Sequence, residues 1–159
     1  MAELIVGIDP GASGAAAVLD AKTKKIVRCF EFSKLTLHEY AYELYKIKNT
    51  VRGKIKVIIE NVHSMPKQGV SSSFKFGRRC GEQEGILVGL AIPYEFVTPQ
   101  IWQRDMKCLR VKKKGCEPES QTEHKRRTRA RAQQLYPSAN ITHATADAVL
   151  ISRWLCQHS

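Results

Sequence analysis

Two short apolar runs in this chain each stop at a carboxylate. Leu4-Ile5-Val6-Gly7-Ile8 runs into Asp9, and Ile55-Lys56-Val57-Ile58-Ile59 runs into Glu60. Runs of this kind, rich in β-branched residues, mark strands covered on both faces of a sheet. Cover on both faces calls for helices on both sides, which points to an α/β architecture.

The intervening segments fill in that architecture. Asp9-Pro10-Gly11-Ala12-Ser13-Gly14 is a turn, Ala15 to Leu19 a second strand, Lys22 to Lys25 another tight connection, and Ile26 to Phe32 a third strand. These three form an antiparallel meander. Leu37, Tyr40, Ala41, Leu44, Tyr45 and Ile47 recur at helical spacing, with Thr36 placed as a cap. After the second buried strand, a polar loop from Asn61 to Val70 leads to a helix over about Ser71 to Leu90, capped by Ser71 or Ser72. Tyr94 to Val97 is a short fifth strand and a short helix runs through Trp102. Lys107 to Pro118 is a basic, Gly/Pro-containing segment expected to be mobile, and helices at about Ser120 to Leu135 and His143 to Cys156 close the chain. The expected fold is a mixed five-stranded sheet, a three-strand meander plus parallel strands, flanked by helices. At 159 residues it is expected to form one domain over 1–159.

Gly77, Gly81, Gly85 and Gly89 recur every fourth residue along one stripe of the Ser71–Leu90 helix. Glycine costs helix stability, so such a stripe signals close approach of another backbone: sheet, partner helix or DNA.

Charge bears on the partner. Lys and Arg number 26 against 15 Asp and Glu, a net +11, and the pI of about 9.6 favours a polyanion. The five cysteines are odd in number and include no C-x-x-C pair, which reads as reduced thiols in an intracellular protein. Cys108, Cys116 and His124 are too loosely spaced to read as a zinc site. No run approaches the roughly 20 apolar residues of a membrane span, and the N-terminus lacks the features of a secretory signal or transit peptide. The expected location is a bacterial or phage-infected cytoplasm, or an organelle matrix if a transit peptide has been removed.

If the strands ending at Asp9 and Glu60 are parallel neighbours, both carboxylates emerge at one sheet edge, where open α/β sheets place their sites. His143, Asp147, Ile151 and Leu155 are four apart, so they share a face of the last helix. The lower, apolar part of that stripe is expected to pack on the sheet, holding Asp147 and His143 over Asp9 and Glu60. Clustered carboxylates are the equipment for hydrolysing a phosphodiester with Mg²⁺ ions about 3.5–4 Å apart. Each residue singly has a plainer reading: Asp9 as a turn former, Glu60 as a solvated strand end, His143 as a polar residue in a first helical turn capped by Thr142. Their coincidence at one edge carries the case.

Ile5-Val6-Gly7-Ile8-Asp9-Pro10-Gly11 with Ser13-Gly14, Val57-Ile58-Ile59-Glu60-Asn61, and His143-Ala144-Thr145-Ala146-Asp147-Ala148-Val149-Leu150-Ile151 occur in the order of the RuvC-type Holliday junction resolvases of the RNase H-like superfamily, which the chain resembles over essentially its whole length. Lys67-Gln68-Gly69 through Gly85, and Val97-Thr98-Pro99-Gln100-Ile101-Trp102, are closest to the monokaryotic chloroplast resolvases and their phage-like relatives. The resemblance implies an RNase H-like fold and a homodimer that nicks four-way DNA junctions in pairs, leaving 5′-phosphate and 3′-hydroxyl ends. It implies two Mg²⁺ per site, with Mn²⁺ able to substitute, and no small-molecule cofactor or membrane. It implies Asp9, Glu60 and Asp147 as metal ligands, with His143 as fourth ligand or positioner. Many relatives place the last two site residues three apart; here His143 and Asp147 are four apart.

Around this site, His63, Lys67, Gln68, Ser71, Ser72, Ser73, Lys75, Arg78 and Arg79 follow Glu60, on a loop and helix start suited to phosphate. Lys112, Lys113 and Lys114 form a basic arm, one of which is a candidate to approach the scissile phosphate. Lys125, Arg126, Arg127, Arg129 and Arg131 crowd the penultimate helix. His63, Phe74 and Phe76 are candidates to stack on opened bases, although core or dimer packing is the plainer reading of Phe74 or Phe76. An actin-like or sugar-kinase ATPase opens with a similar turn, but this chain has no room for the second nucleotide-binding half. A non-catalytic RNase H-like DNA-binding module would be expected to lack one or more of the three carboxylates. A nuclease acting on flaps, forks or R-loops remains a third reading.

Overall fold

The computed structural model describes residues 3–51, 54–63, 69–110, 115 and 117–159. Their elements run β1 (Leu4–Asp9), β2 (Ala15–Asp20), β3 (Ile26–Glu31), α1 (Leu37–Thr50), β4 (Ile55–Glu60), α2 (Val70–Gly89), β5 (Tyr94–Val97), α3 (Pro99–Asp105), α4 (Gln121–Leu135) and α5 (Thr145–His158). The strands form one sheet in the order β3-β2-β1-β4-β5. β1, β2 and β3 pair antiparallel, whereas β4 runs parallel to both β1 and β5. This is the expected α/β fold, with the meander on one side and the parallel strands on the other.

The pleat of the strands explains their largely apolar character, broken only at the exposed Lys56 of β4. Leu4, Val6 and Ile8 of β1, with Val57 and Ile59 of β4, face a layer that includes Tyr40 and Leu44 of α1 and Leu87 of α2. Ile5 and Ile58 face the opposite layer, built with Trp102 of α3, Ala132 of α4 and the apolar side of α5. Successive side chains alternate faces, so Asp9 and Glu60 share the α5 side with Ile5 and Ile58. Ile8 pairs with Ile59, which brings the two acidic strand ends level.

α5 lies close against β1 and β2, and small residues make that possible. A Cβ on Gly7 would stand 2.4 Å from the Ser152 backbone nitrogen and 2.7 Å from the Ala148 carbonyl oxygen. In the space Gly7 leaves, the buried Ser152 hydroxyl accepts from Gly7 N–H at 2.7 Å and reaches the Ala17 carbonyl oxygen at 2.7 Å. Gly7 and Ala17 face each other across the β1–β2 pair. One hydroxyl thus ties α5 to two strands at once, and the buried polar groups satisfy one another.

Two helix starts differ from expectation. α2 begins at Val70 with Gly69 as its N-cap and no capping side chain; Ser71 and Ser72 lie inside its first turn. α5 begins at Thr145, not His143. Thr142 and Thr145 each accept from the other's backbone N–H, at 3.2 and 3.0 Å, and Ala146 N–H donates to the Thr142 carbonyl, so His143 lies in a turn of helical spacing that leads into α5. Thr36 caps α1 as expected, in a capping box with Glu39.

The glycine stripe also differs from one of its readings. Among the described residues, a Cβ on Gly77, Gly81, Gly85 or Gly89 would meet nothing within 4 Å. α2 buries its other side, through Gln83 and Leu87, so close packing on the sheet does not explain the stripe. Among the described residues no helix is long and apolar enough to cross a membrane.

Candidate active site

Asp9 ends β1, Glu60 ends β4, and Asp147 sits in the first turn of α5. The three come together at one sheet edge, near enough for their charges to act on one another. Glu60 is 8% exposed, while Asp9 and Asp147 keep partial access to solvent. Burial, then the charges of Asp9 and Asp147, push the Glu60 carboxyl up to about 8, against a lowering hydrogen bond from Trp102. Burial and the Asp9 charge push Asp147 up to about 7, with Lys125 acting in the opposite direction. Asp9 is raised chiefly by burial, and both the Gly11 N–H and Lys125 oppose the rise.

Neighbours hold the carboxylates in place. The indole N–H of the fully buried Trp102 donates to Glu60 Oε1 at 2.9 Å, and Gly11 N–H donates to Asp9 Oδ1 at 3.2 Å. Lys125 occupies the face of α4 that continues through the buried Thr128 and Ala132, at i+3 and i+7. That placement puts its charge beside Asp9 and Asp147. Neither the Trp102 contact nor the position of Lys125 was legible from spacing, although a core Trp needs an acceptor for its N–H and a buried Glu needs a donor.

The donor set suits a divalent cation. The charges of Asp9 and Asp147 add to burial in raising Glu60, as that of Asp9 does for Asp147, and a positive ion would relieve that repulsion among three hard-oxygen donors. Among the described residues no three His, Cys, Asp or Glu side chains stand tightly enough together to grip one ion, so the fit rests on the chemistry of the donors.

The shifts have a consequence for stability. A carboxyl whose folded pKa is raised holds its proton after the unfolded chain has lost it. Its stabilising effect is complete below the unfolded pKa and is lost as pH rises through the folded value. For Glu60 and Asp147 that window runs from about 4 to about 8. Metal-free protein should therefore melt lower at pH 8 than at pH 5. Glu60→Gln, which keeps an oxygen for the Trp102 N–H, should recover roughly 5 °C at pH 8, and added Mg²⁺ should raise the wild-type melting temperature more at pH 8 than at pH 5. A Glu60→Gln melting temperature equal to wild type at both pH values would contradict this.

The other candidate residues divide. Ser71, Ser72, Ser73, Lys75, Arg78 and Arg79 all lie on the first half of α2, and Ser72, Lys75, Arg78 and Arg79 line a 740 Å³ groove that also includes Ala12 of the Asp9 turn, Leu37, Phe76 and Glu82. His63 is exposed just beyond β4. Phe74 is 72% exposed and forms no part of the core. Lys67, Gln68, Lys112, Lys113, Lys114 and Cys116 lie outside the described residues.

On α4 the basic residues have different tasks. Arg127 donates to the Cys108 and Leu109 carbonyls and to Glu119, clasping both ends of the segment before α4. Arg129 donates to the Ile141 carbonyl and Arg131 to that of Met106. These arginines are at least partly structural. Cys108 is buried in the core, where burial pushes its thiol up to about 12.

His143 is not among the groups that shift Asp9, Glu60 or Asp147. It is exposed and lines a cleft against α4, with Arg126, Arg129, Ala130 and Gln133.

No family model and no curated protein matches the sequence. Among solved structures the chain is similar to Thermus thermophilus RuvC, at 13% identity and a TM-score of 0.60, over 98% of this chain and 96% of that one. It is likewise similar to T. thermophilus RuvC in complex with a Holliday junction substrate, at 13% identity, a TM-score of 0.61 and the same coverage. The chain has the RuvC-type fold.

Proposed function

We propose that residues 1–159 act as one domain, a divalent-metal-dependent endonuclease that resolves four-way DNA junctions by paired nicks leaving 5′-phosphate and 3′-hydroxyl ends. The observation that carries this reading is the meeting of Asp9, Glu60 and Asp147, from three separate elements, at one sheet edge where burial, then the charges of Asp9 and Asp147, raise Glu60 and burial, then the charge of Asp9, raises Asp147. The junction as substrate is taken from the likeness to T. thermophilus RuvC bound to a Holliday junction.

Asp9, Glu60 and Asp147 would hold Mg²⁺, two per site, with Mn²⁺ able to substitute. The metal supplies an activated water and stabilisation of the leaving oxygen. The chain's own residues do the rest. Trp102 holds one Glu60 oxygen in place and excludes water behind it. Gly11 fixes the orientation of Asp9. Lys125 sets a positive charge where the scissile phosphate would meet the carboxylates, easing the approach of a polyanion to an acidic site. The basic flank of α2, through Lys75, Arg78 and Arg79, would follow the backbone, with His63 and the segments carrying Lys67, Gln68 and Lys112–Lys114 as further contacts. The protein would act in a bacterial or phage-infected cytoplasm or an organelle matrix.

The partner copy fits the open stripe on α2. Each helix-interior glycine costs about 1 kcal/mol relative to alanine, and nothing among the described residues packs against them. Exposed Val70, Phe74 and Val88 fall on the same stripe. Apolar ends with a bare backbone between them suit close helix–helix packing in a homodimer. Gly81→Gln should leave protomer melting unchanged or raised while shifting sedimentation from dimer to monomer, with paired nicks replaced by single ones. A dimer that persists in Gly81→Gln would move the interface elsewhere.

The function itself is tested by comparing a four-way junction with linear duplex of the same sequence, with and without Mg²⁺. Symmetry-related nicks confined to the junction and to the metal-containing reaction are expected. Equal cleavage of duplex would contradict junction resolution, and cleavage of flaps or forks in preference would change the substrate.

A further inference from the structure

An open cleft of about 390 Å³ between α4 and the turn before α5 is lined by Arg126, Arg129, Ala130, Gln133 and His143. No carboxylate lines it. Among the described residues neither Arg126 nor Arg129 forms an ion pair. Glu123, whose carboxyl is lowered in part by the Arg126 charge, is already engaged by the Ser120 N–H and hydroxyl.

Two of the lining side chains, Arg129 and Gln133, are held in place. Arg129 Nε donates to the Ile141 carbonyl at 2.8 Å, which holds its guanidinium plane. The Gln133 side-chain amide donates to the Tyr136, Pro137 and Ala139 carbonyls, tying down the chain that leads to His143. The result is a concave site with planar cationic donors suited to the oxygens of a phosphate.

Its place in the fold is also specific. Ala146 N–H donates to the Thr142 carbonyl, so the turn carrying His143 has helical spacing. Four residues at the helical rise put His143 and Asp147 about 6 Å apart along the axis. The cleft stripe of α4, Arg126, Arg129, Ala130 and Gln133, adjoins the stripe of Lys125, Thr128 and Ala132 that reaches the acidic edge. Lys125 acts on Asp9 and Asp147, whereas His143 contributes to none of the three carboxylate shifts.

We propose that this cleft is a phosphate-binding subsite for the DNA strand entering the acidic site, in which His143, Arg126 and Arg129 hold a phosphodiester neighbouring the scissile one. His143 then contacts the substrate and not the metal. This inference rests on the nuclease reading above.

The test uses four-way junctions carrying a single neutral methylphosphonate, walked along the strand around the cleavage position. Binding is measured in EDTA, so no metal contributes. Wild-type affinity should fall about three- to tenfold at one position near the cleavage point. Arg126→Gln and His143→Gln should each bind the unmodified junction weaker by a similar factor, with the salt slope reduced by about one. Both should lose their sensitivity to that one neutral linkage. Arg126 is exposed, so its variant reports even if His143→Gln fails to fold.

Variants that keep wild-type affinity, or stay sensitive at that position, overturn the subsite. So does a His143→Gln protein that binds normally in EDTA but needs more Mg²⁺ to nick, the behaviour of a metal ligand. If the position-specific loss is seen equally on linear duplex, junction selectivity fails while the subsite stands. If wild type binds junctions selectively and the variants match it, the subsite fails alone.

Discussion

Asp9→Asn should slow single-turnover nicking of a four-way junction by roughly a thousandfold or more, with junction affinity in EDTA equal to wild type or better. Asp9 ends the central strand, between the meander and the parallel strands, and its charge acts on both Glu60 and Asp147. Asparagine keeps an oxygen for the Gly11 N–H, so the turn should survive. What is lost is one of three negative charges that would hold the metal. Removing it also weakens repulsion of the DNA backbone, which is why affinity should not suffer. Activity within tenfold of wild type would remove Asp9 from the metal site.

Gly7→Ala should have the largest effect on stability. Its Cβ would enter space occupied by the Ser152 backbone nitrogen and hydroxyl and the Ala148 carbonyl, and two of those three atoms are backbone. α5 must therefore shift as a body or β1 must bend. Overpacking of this kind costs about 1–3 kcal/mol, and the loss of the Ser152 bridge to Gly7 and Ala17 adds to it. A fall in melting temperature of roughly 4–12 °C is expected. Because α5 carries Asp147, nicking should fall even at temperatures where the variant is folded. Gly77→Ala is the control: its Cβ meets nothing within 4 Å among the described residues, so it should stabilise the protomer by about 1 kcal/mol. A Gly7→Ala protein as stable and active as wild type would show that the close approach of α5 is dispensable.

The strands and the carboxylates that end them were legible because those features are local, whereas the meeting of Asp9 and Glu60 at one edge depends on the long-range parallel pairing of β1 with β4. Apolar runs ending at Asp9 and Glu60 specify buried strands, and period-two alternation then decides which face each carboxylate takes. The strand ends, the meander and the Thr36 cap follow from short-range chemistry of this kind. The Trp102 bond to Glu60 and the placement of Lys125 depend on packing between elements far apart in the chain, which no spacing rule encodes. The basic residues of α4 look alike in sequence, yet Arg127 is used as a clasp on the Cys108 and Leu109 carbonyls while Arg126 faces an open cleft. His143 was read onto the Asp147 face from four-residue spacing. α5 itself starts at Thr145, and His143, in the turn that leads into it, lines the cleft against α4. A residual clue lay in the small residues Gly7, Ala15, Ala17, Ala148 and Ser152, which permit the tight approach of α5 on which the site depends.

The most direct test of the three carboxylates as one metal-holding unit is the single-turnover nicking rate of Asp9→Asn, Asp147→Asn and the double variant on the same junction in saturating Mg²⁺. Residues that act as a unit give non-additive losses, so the double variant should be no slower than the slower single one. Losses that multiply would contradict a shared site and would assign Asp9 and Asp147 to separate steps.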